Sequence, residues 1–110
     1  MPNSFDALPK LKSLDLSNNS LTGSIPASLA AHSALNSLRL SANQLTGFVG
    51  FASPSLSNVF ISQNAFSGLA MFKMNALQRL IANNNRIKGP LPNFSGVTNL
   101  RIFSVANNSL

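Results

Sequence analysis

The sequence contains no cysteine, so it can form neither a disulfide nor a thiolate metal site. It also contains one histidine, His32, and only two acidic residues, Asp6 and Asp15. A metal site needs several such side chains that converge on one point. We therefore expect no metal and no cofactor, and the absence of cysteine leaves the redox compartment undecided.

Charge is also scarce, since only 9% of the 110 residues are charged, against about a quarter in typical globular proteins. The net charge of +6 comes from eight basic and two acidic residues. The pI of 11.6 is high because the chain has no Tyr or Cys that would lose a proton between neutral and strongly basic pH. No run of basic residues resembles a nucleic-acid-binding arm. The basic residues are Lys10, Lys12, Arg39, Lys73, Arg79, Arg86, Lys88 and Arg101. We expect a mild preference for acidic protein partners and no nucleic-acid partner.

Long apolar runs are missing too, and none approaches the roughly 18 to 20 residues of a membrane span. The first residues, MPNSFDALPK, lack the charged region and apolar stretch of a signal peptide. The sequence therefore predicts neither a membrane span nor a signal peptide within this chain.

What the sequence does contain is a repeat. The pattern L-x-x-L-x-L-x-x-N-x-L recurs at residues 11–21, 35–45, 56–66, 77–87 and 100–110, with apolar replacements at some leucine positions. The asparagine of this pattern, which we call the marking asparagine, is present in every copy, at Asn19, Asn43, Asn64, Asn85 and Asn108. Such a short, regular period is typical of a solenoid. We interpret residues 1–110 as a single array of about five copies.

A glycine follows the marking asparagine by four residues in the first four copies, at Gly23, Gly47, Gly68 and Gly89. The first and fourth copies continue to a proline, in GSIP and GPLP, whereas the second and third read GFVG and GLAM. Glycine suits a bend with little room, and proline suits a segment without ladder hydrogen bonds. We therefore expect a tight bend after each strand.

Alternation in LKSLDLS predicts a strand, with Leu14 and Leu16 facing inward and their neighbours facing outward. The inward leucines of one copy gain a core only when the next copy stacks on them. Each marking asparagine is expected at the exit of its strand, where its amide can satisfy backbone donors and acceptors. The predicted fold is a short curved solenoid with a parallel sheet on its concave side.

These copies resemble the leucine-rich repeat family, and specifically its plant-type subclass, whose copies read LxxLxLxxNxLxGxIP. The resemblance covers essentially the whole chain. It implies an α/β solenoid with a short parallel β-sheet on the concave face and irregular or 3-10 convex segments. It also implies a receptor-like kinase or receptor-like protein ectodomain, located outside the cell or at its surface, that binds a protein or peptide on the concave sheet.

Solenoids need end caps with a polar outer face, and the sequence shows none. The pattern starts partway through a copy, at FDALPKL, and stops at Leu110. Caps of the plant-type subclass usually carry paired cysteines, which this chain lacks. We expect an internal fragment of a longer protein, uncapped at both ends. As an alternative, Met1 allows an intact short protein, whose open ends would expose apolar surface and stack on another copy.

Outward positions of successive strands lie about 4.8 Å apart and form columns across the predicted sheet. Aromatic and arginine side chains grouped in this way often carry binding energy. The predicted ligand-binding patch consists of Arg39, Phe60, Arg79, Ile81, Arg101 and Ile102. As an alternative, single apolar residues are common on surfaces, and Arg39 could simply pair with Asp15 across two strands at little gain in stability.

The sequence offers no set of titratable groups that converges into an active site. His32 lies in SLAAHSAL on a predicted convex connection, far from Asp15 on the concave sheet, and is predicted to be a solvated surface side chain. The glycine turns lack the lysine of a phosphate-binding loop. We expect no enzyme activity from this chain, since any kinase domain would belong to another part of a longer parent.

Three N-glycosylation sequons begin at Asn18, Asn93 and Asn107. A chain this rich in asparagine and serine contains about that number by chance, so the count does not indicate secretion. If the parent is secreted, Asn18 and Asn107 occupy the same exposed position beside a marking asparagine and are candidate glycan carriers.

Three functions remain open at this point. The first is a receptor-like binding module. The second is a secreted inhibitor of a polysaccharide-degrading enzyme, as in the polygalacturonase-inhibiting proteins, although the irregular copies and the absence of cysteine count against it. The third is a structural or adhesive surface protein, which predicts self-association.

Overall fold

The computed structural model describes residues 5–90, 94 and 96–110. Its elements, in chain order, are β1 (Ser13–Asp15), β2 (Thr22–Gly23), α1 (Ala27–Ala30), β3 (Ser37–Arg39), β4 (Gln44–Phe51), β5 (Asn58–Phe60), β6 (Ala65–Met71), β7 (Arg79–Ile81) and β8 (Ile102–Ser104). One sheet has the order β1-β3-β5-β7-β8, and a second has the order β2-β4-β6. We call them the concave sheet and the lateral sheet. The predicted solenoid with a parallel sheet is confirmed.

The strands of the concave sheet are parallel and pair without a register shift. Leu14 pairs with Leu38, Leu38 with Val59, Val59 with Leu80, and Leu80 with Phe103. Because the register is constant, equal positions of successive copies lie side by side. Outward side chains therefore form columns across the sheet, and inward ones form rows in the core.

The core consists of these inward rows. Six apolar side chains on or directly after the three central strands are completely buried: Leu38, Leu40, Val59, Ile61, Leu80 and Ala82. Burial of each large side chain contributes about 1.5 to 3 kcal/mol. The equivalent residues of the outermost strands, Leu14 and Leu16 at one end and Phe103 and Val105 at the other, are only partly buried. They are less buried because a neighbouring strand covers them on one side only.

The marking asparagines tie each copy to the one before it, as Asn64 illustrates. Its Nδ2 donates to the carbonyl oxygens of Leu40 at 2.9 Å and Ile61 at 3.2 Å, and its Oδ1 accepts a hydrogen bond from the Leu45 N–H at 3.0 Å. Equivalent bonds are made by Asn43, Asn85 and Asn108. Each amide thus satisfies backbone groups of two copies at the point where the strand pairing ends.

The residue before each marking asparagine bends the chain out of its strand with a positive φ. The angles are 59° at Asn18, 58° at Ala42, 56° at Gln63, 58° at Asn84 and 55° at Asn107. Asparagine adopts this left-handed conformation more readily than other residues with a Cβ atom. The bend is therefore relaxed in three copies and strained at Ala42 and Gln63.

The lateral sheet is a feature that the sequence did not predict. In the first copy, β2 ends at Gly23, and Pro26 then leads into α1. The second and third copies have no proline at this offset, and β4 and β6 continue for eight and seven residues. Without proline every residue keeps an N–H for strand pairing, which allows these long strands to form.

On the convex side, the prediction that His32 is a solvated surface side chain is wrong, because it is only 6% exposed. Its Nδ1 accepts hydrogen bonds from the N–H groups of Ala34 and Leu35, both at 3.1 Å, and its Nε2 donates to the Leu8 carbonyl oxygen at 2.9 Å. The ring joins the turn after α1 to the segment around Leu8. No sequence pattern reveals this role, because all three partners are backbone atoms.

Candidate binding surface

Two columns of outward side chains on the concave sheet contain five of the six residues of the predicted patch. The strand register places Arg39 beside Phe60 and Phe60 beside Ile81. In the adjacent column, Arg79 lies beside Ile102. Both columns face outward because their residues alternate with the buried residues of the same strands.

Arg39 and Phe60 are in direct contact. The Cζ atom of Arg39 lies 4.4 Å from the centroid of the Phe60 ring, within the range of a cation–π interaction. At an exposed site such a contact contributes about 0.5 to 1 kcal/mol. It also restrains both side chains before any partner binds, which lowers the entropy that binding would cost.

The alternative pairing of Arg39 with Asp15 is a weak one. The Asp15 carboxylate accepts a hydrogen bond from the Ser17 N–H at 3.0 Å. This backbone hydrogen bond, assisted by the Ser17 hydroxyl, lowers the pKa of Asp15, and the Arg39 charge makes the smallest contribution. Arg39 therefore interacts closely with Phe60 and only at longer range with Asp15.

The second column is more polar and more open. The Arg79 Nη1 donates a hydrogen bond to the Asn58 Oδ1 at 3.4 Å, which extends the guanidinium along the sheet. Ile102 is 45% exposed. Arg101 is also exposed, but it precedes β8 and lies outside both columns. The patch therefore has an apolar centre at Phe60 and Ile81 with arginines around it.

A row of hydrogen-bonded polar groups borders the patch where the strands end. The Asn83 Oδ1 accepts hydrogen bonds from the Ser104 Oγ at 2.6 Å and the Ala106 N–H at 2.8 Å, and the Asn83 N–H donates to the Ser62 Oγ at 3.0 Å. A partner that covers this row would find its polar groups already partly satisfied. An apolar centre with a polar rim is the usual layout of a protein interface.

Comparison with known proteins matches this chain to one family and to two receptor-like relatives. The family described as leucine rich repeat matches residues 2–45. Receptor-like protein 7 of Arabidopsis thaliana is 39% identical over 105 residues, which cover 91% of this chain and 11% of that protein. The calmodulin-binding receptor kinase CaMRLK of Arabidopsis thaliana is 34% identical over 109 residues, which cover 94% of this chain and 13% of that protein.

The chain belongs to the leucine-rich repeat family. Its copies are of the plant type, in agreement with these two relatives. The chain spans only 11% and 13% of their lengths. Among the residues that the structure describes, no helix is long and apolar enough to cross a membrane.

Two of the three sequons of this leucine-rich repeat chain are accessible. Asn18 and Asn107 are both exposed, and both have the positive φ of the residue before a marking asparagine. They occupy the same position in the first and fifth copies. Asn93 lies outside the described residues.

A hollow of about 200 Å³ beside α1 brings Asp6, Ser28, His32 and Ser33 together. These residue types occur in nucleophilic active sites, where a histidine nitrogen takes the proton of a serine. Here the backbone occupies both ring nitrogens of His32. The histidine is therefore structural. Among residues 5–90, 94 and 96–110, no cluster of side chains has the make-up of a metal site.

Proposed function

We propose that this chain is a non-catalytic protein- or peptide-binding module of a receptor-like ectodomain, and that it recognises its ligand on the concave sheet. The Arg39–Phe60 contact carries the proposal, because it presents a charged group and an aromatic face in one restrained arrangement. Ile81 and Ile102 extend the apolar area, and Arg79 and Arg101 flank it. A location outside the cell or at its surface, within a longer protein, is part of the same proposal and rests on the receptor-like relatives.

The partner that fits this patch is acidic and carries at least one apolar side chain. After Asp15 the sequence contains six basic residues and no acidic one, so the concave sheet beyond β1 presents cations without competing carboxylates. Complementary charge speeds association and excludes basic partners. The apolar side chain of the partner would contact Phe60 and Ile81.

Selection of a displayed peptide library on the folded 110-residue chain tests the proposal. We expect the selected peptides to combine acidic and apolar residues. Phe60→Ala should weaken their binding by at least about 1 kcal/mol, or about fivefold, as removal of an aromatic hot-spot side chain does. Leu8→Ala, which removes an exposed apolar side chain outside both sheets, is the matched control and should leave these affinities unchanged. The proposal would be contradicted if every selected peptide bound the Phe60→Ala chain as tightly as the original.

Self-association is a second candidate, and the two ends of the concave sheet favour it. Among the described residues, Asn19 Oδ1 accepts no hydrogen bond, whereas the other marking asparagines accept one from the preceding copy. At the opposite edge, the Val105 N–H has no partner among the described residues, although the equivalent Leu40 N–H donates to Phe60. A second chain placed head to tail would supply both partners. The described residues offer no comparable support for the inhibitor alternative.

Sedimentation at several concentrations distinguishes this second candidate. The wild-type chain should gain mass as concentration rises. Val105→Pro should remain monomeric, because proline removes the outward N–H and is tolerated on an edge strand whose N–H faces solvent. An unchanged melting temperature would show that the variant still folds. A wild-type mass that stays monomeric at every concentration would rule out head-to-tail stacking.

A further inference from the structure

Two phenylalanines on the lateral sheet are the most exposed large apolar side chains among the described residues. Phe48 is 65% exposed and Phe72 is 64% exposed. Along β4 the exposed Phe48 and Gly50 alternate with the buried Val49 and Phe51. Alternation of this kind places Phe48 and Gly50 on the outer face of the sheet.

The paired residues between the two rings, Gly50 and Ala70, have little or no side chain. Gly50 pairs with Ala70, which lies two residues before Phe72. The Phe72 N–H donates to the Phe51 carbonyl oxygen at 2.9 Å, so the chain is still paired with β4 at this point. Phe72 therefore follows Ala70 on the outer face. Strand pairing therefore places Gly50 and Ala70 between the two rings on the outer face, and we call this stretch the groove between Phe48 and Phe72.

The Phe48 ring packs against Gly68. The two residues are paired across β4 and β6, and a Cβ atom on Gly68 would collide with Cδ2 of Phe48. The ring therefore lies directly against the backbone of the neighbouring strand. Because the sheet already restrains the ring, a partner that contacts Phe48 pays little additional entropy for ordering it.

The charges near this groove are all positive. The Lys73 Nζ lies 5.3 Å from the centroid of the Phe72 ring. Arg86 and Lys88 follow beside β6, where their N–H groups donate to the carbonyl oxygens of Phe66 and Ser67. Both acidic residues of the sequence lie before β2, in the first copy or ahead of it. An acidic partner is therefore favoured, and a second copy of this chain would bring two basic faces together.

We propose that the groove between Phe48 and Phe72 is a second binding surface, separate from the concave patch, for an acidic peptide segment that carries an apolar side chain. The apolar side chain rests on Gly50 and Ala70 between the two rings. The carboxylates of the segment face Lys73 at one border of the groove and the cations of the fourth copy beside β6. The missing prolines of the second and third copies thus create the long strands on which this surface is built.

A titration of the isotope-labelled 110-residue chain with a capped peptide, Glu-Asp-Leu-Phe-Asp-Glu, tests the proposal by nuclear magnetic resonance. We expect amide shifts in β4, in β6 and at Phe72 and Lys73. Phe48→Ser and Phe72→Ser should each weaken binding at least fivefold without lowering the melting temperature by more than a few degrees. Gly68→Ala, which displaces the Phe48 ring but keeps it, should also weaken binding.

Phe60→Ala is the matched control on the concave sheet and should bind the peptide at the lateral groove as the wild-type chain does. A peptide with Gln and Asn in place of Glu and Asp should bind at least fivefold more weakly, and equal binding would overturn the acidic part of the proposal. Shifts confined to β5 and β7 that disappear in Phe60→Ala would overturn the second surface and support the concave patch. Absence of binding at millimolar peptide would also overturn the proposed second surface. Binding of anionic lipid vesicles through Phe48, without binding of the peptide, would overturn the proposal that a peptide occupies this surface.

Discussion

The concave and lateral sheets are built from the same copies but follow different rules. Every strand of the concave sheet has three residues and an unshifted register. The strands of the lateral sheet have two, eight and seven residues, and their register shifts between Gly47 and Phe48. The concave sheet and its asparagines repeat because every copy needs them to hold its neighbour. The lateral sheet differs from copy to copy, so individual copies can acquire surfaces of their own.

The largest expected loss of stability comes from removing the amide of Asn64, one of the marking asparagines. Asn64→Ala removes hydrogen bonds to three carbonyl oxygens, those of Leu40, Ile61 and Ser62, and one from the Leu45 N–H. Because these backbone groups lose their partner away from water, we expect a loss of at least about 3 kcal/mol in unfolding free energy. Urea denaturation measures it.

The control for Asn64 is Asn58→Ala on the same sheet. Asn58 faces outward and bonds only to other side chains, so its loss should be about 1 kcal/mol or less. Equal losses at the two positions would show that the marking asparagine has no special role.

On the convex side, His32→Ala should cost about 2 to 3 kcal/mol, because it leaves the Ala34 and Leu35 N–H groups and the Leu8 carbonyl oxygen without their partner. Ser33→Ala, at the exposed neighbouring position, should have little effect. Thermal unfolding of both variants makes the comparison. A His32→Ala chain as stable as the Ser33→Ala chain would mean that the buried ring is dispensable.

A smaller effect is expected at Gly68 in the lateral sheet. Gly68→Ala should cost about 1 kcal/mol because its Cβ displaces the Phe48 ring. Adding Phe48→Ala should recover that loss, and a double-mutant cycle measures the coupling. Gly50→Ala is the control, since its Cβ would meet Phe48 only at an ordinary 4.0 Å. If Gly68→Ala and Phe48→Ala changed the unfolding free energy additively, the Phe48 ring would not depend on the space that Gly68 leaves.

Substitution of alanine by glycine should stabilise the chain at Ala42 and destabilise it at Ala70. Ala42 has a φ of 58°, so Ala42→Gly should stabilise the chain by about 0.5 to 1 kcal/mol by removing backbone strain. Ala70 lies in β6 with no such strain, and Ala70→Gly should destabilise by a similar amount through added chain entropy. Denaturation midpoints of the two variants provide the test. A loss of stability in both would contradict the strain at Ala42.

The smallest effect is a pH dependence from Asp15. The Ser17 N–H lowers the pKa of Asp15 below its ordinary value of 3.8. The stabilisation is therefore fully present above that value and is lost as the pH falls through the lower folded pKa. In Asp15→Asn the stability should depend less on pH below 3.8. Identical acid profiles for the two chains would show that the hydrogen bond does not persist in solution.

The concave sheet and the marking asparagines could be predicted from the sequence because the same pattern recurs in every copy. Alternation around Leu38 and Val59 indicated the inward rows, and equal spacing indicated that Arg39, Phe60 and Ile81 share a column. The lateral sheet was not predicted, because the glycine that follows the marking asparagine in the first four copies indicates a bend. The missing prolines and the alternation in FVGF were the available signal. His32 could not be predicted, since its partner Leu8 lies 24 residues away and contributes a backbone atom.

Mapping the binding site of the tightest library-selected peptide on the isotope-labelled chain tests recognition through the concave patch. We expect amide shifts around Phe60, Ile81 and Ile102, which disappear when the same titration is repeated with Phe60→Ala. Shifts that remain on the concave sheet in Phe60→Ala, or that occur only at the two ends of the array, would contradict recognition through the concave patch.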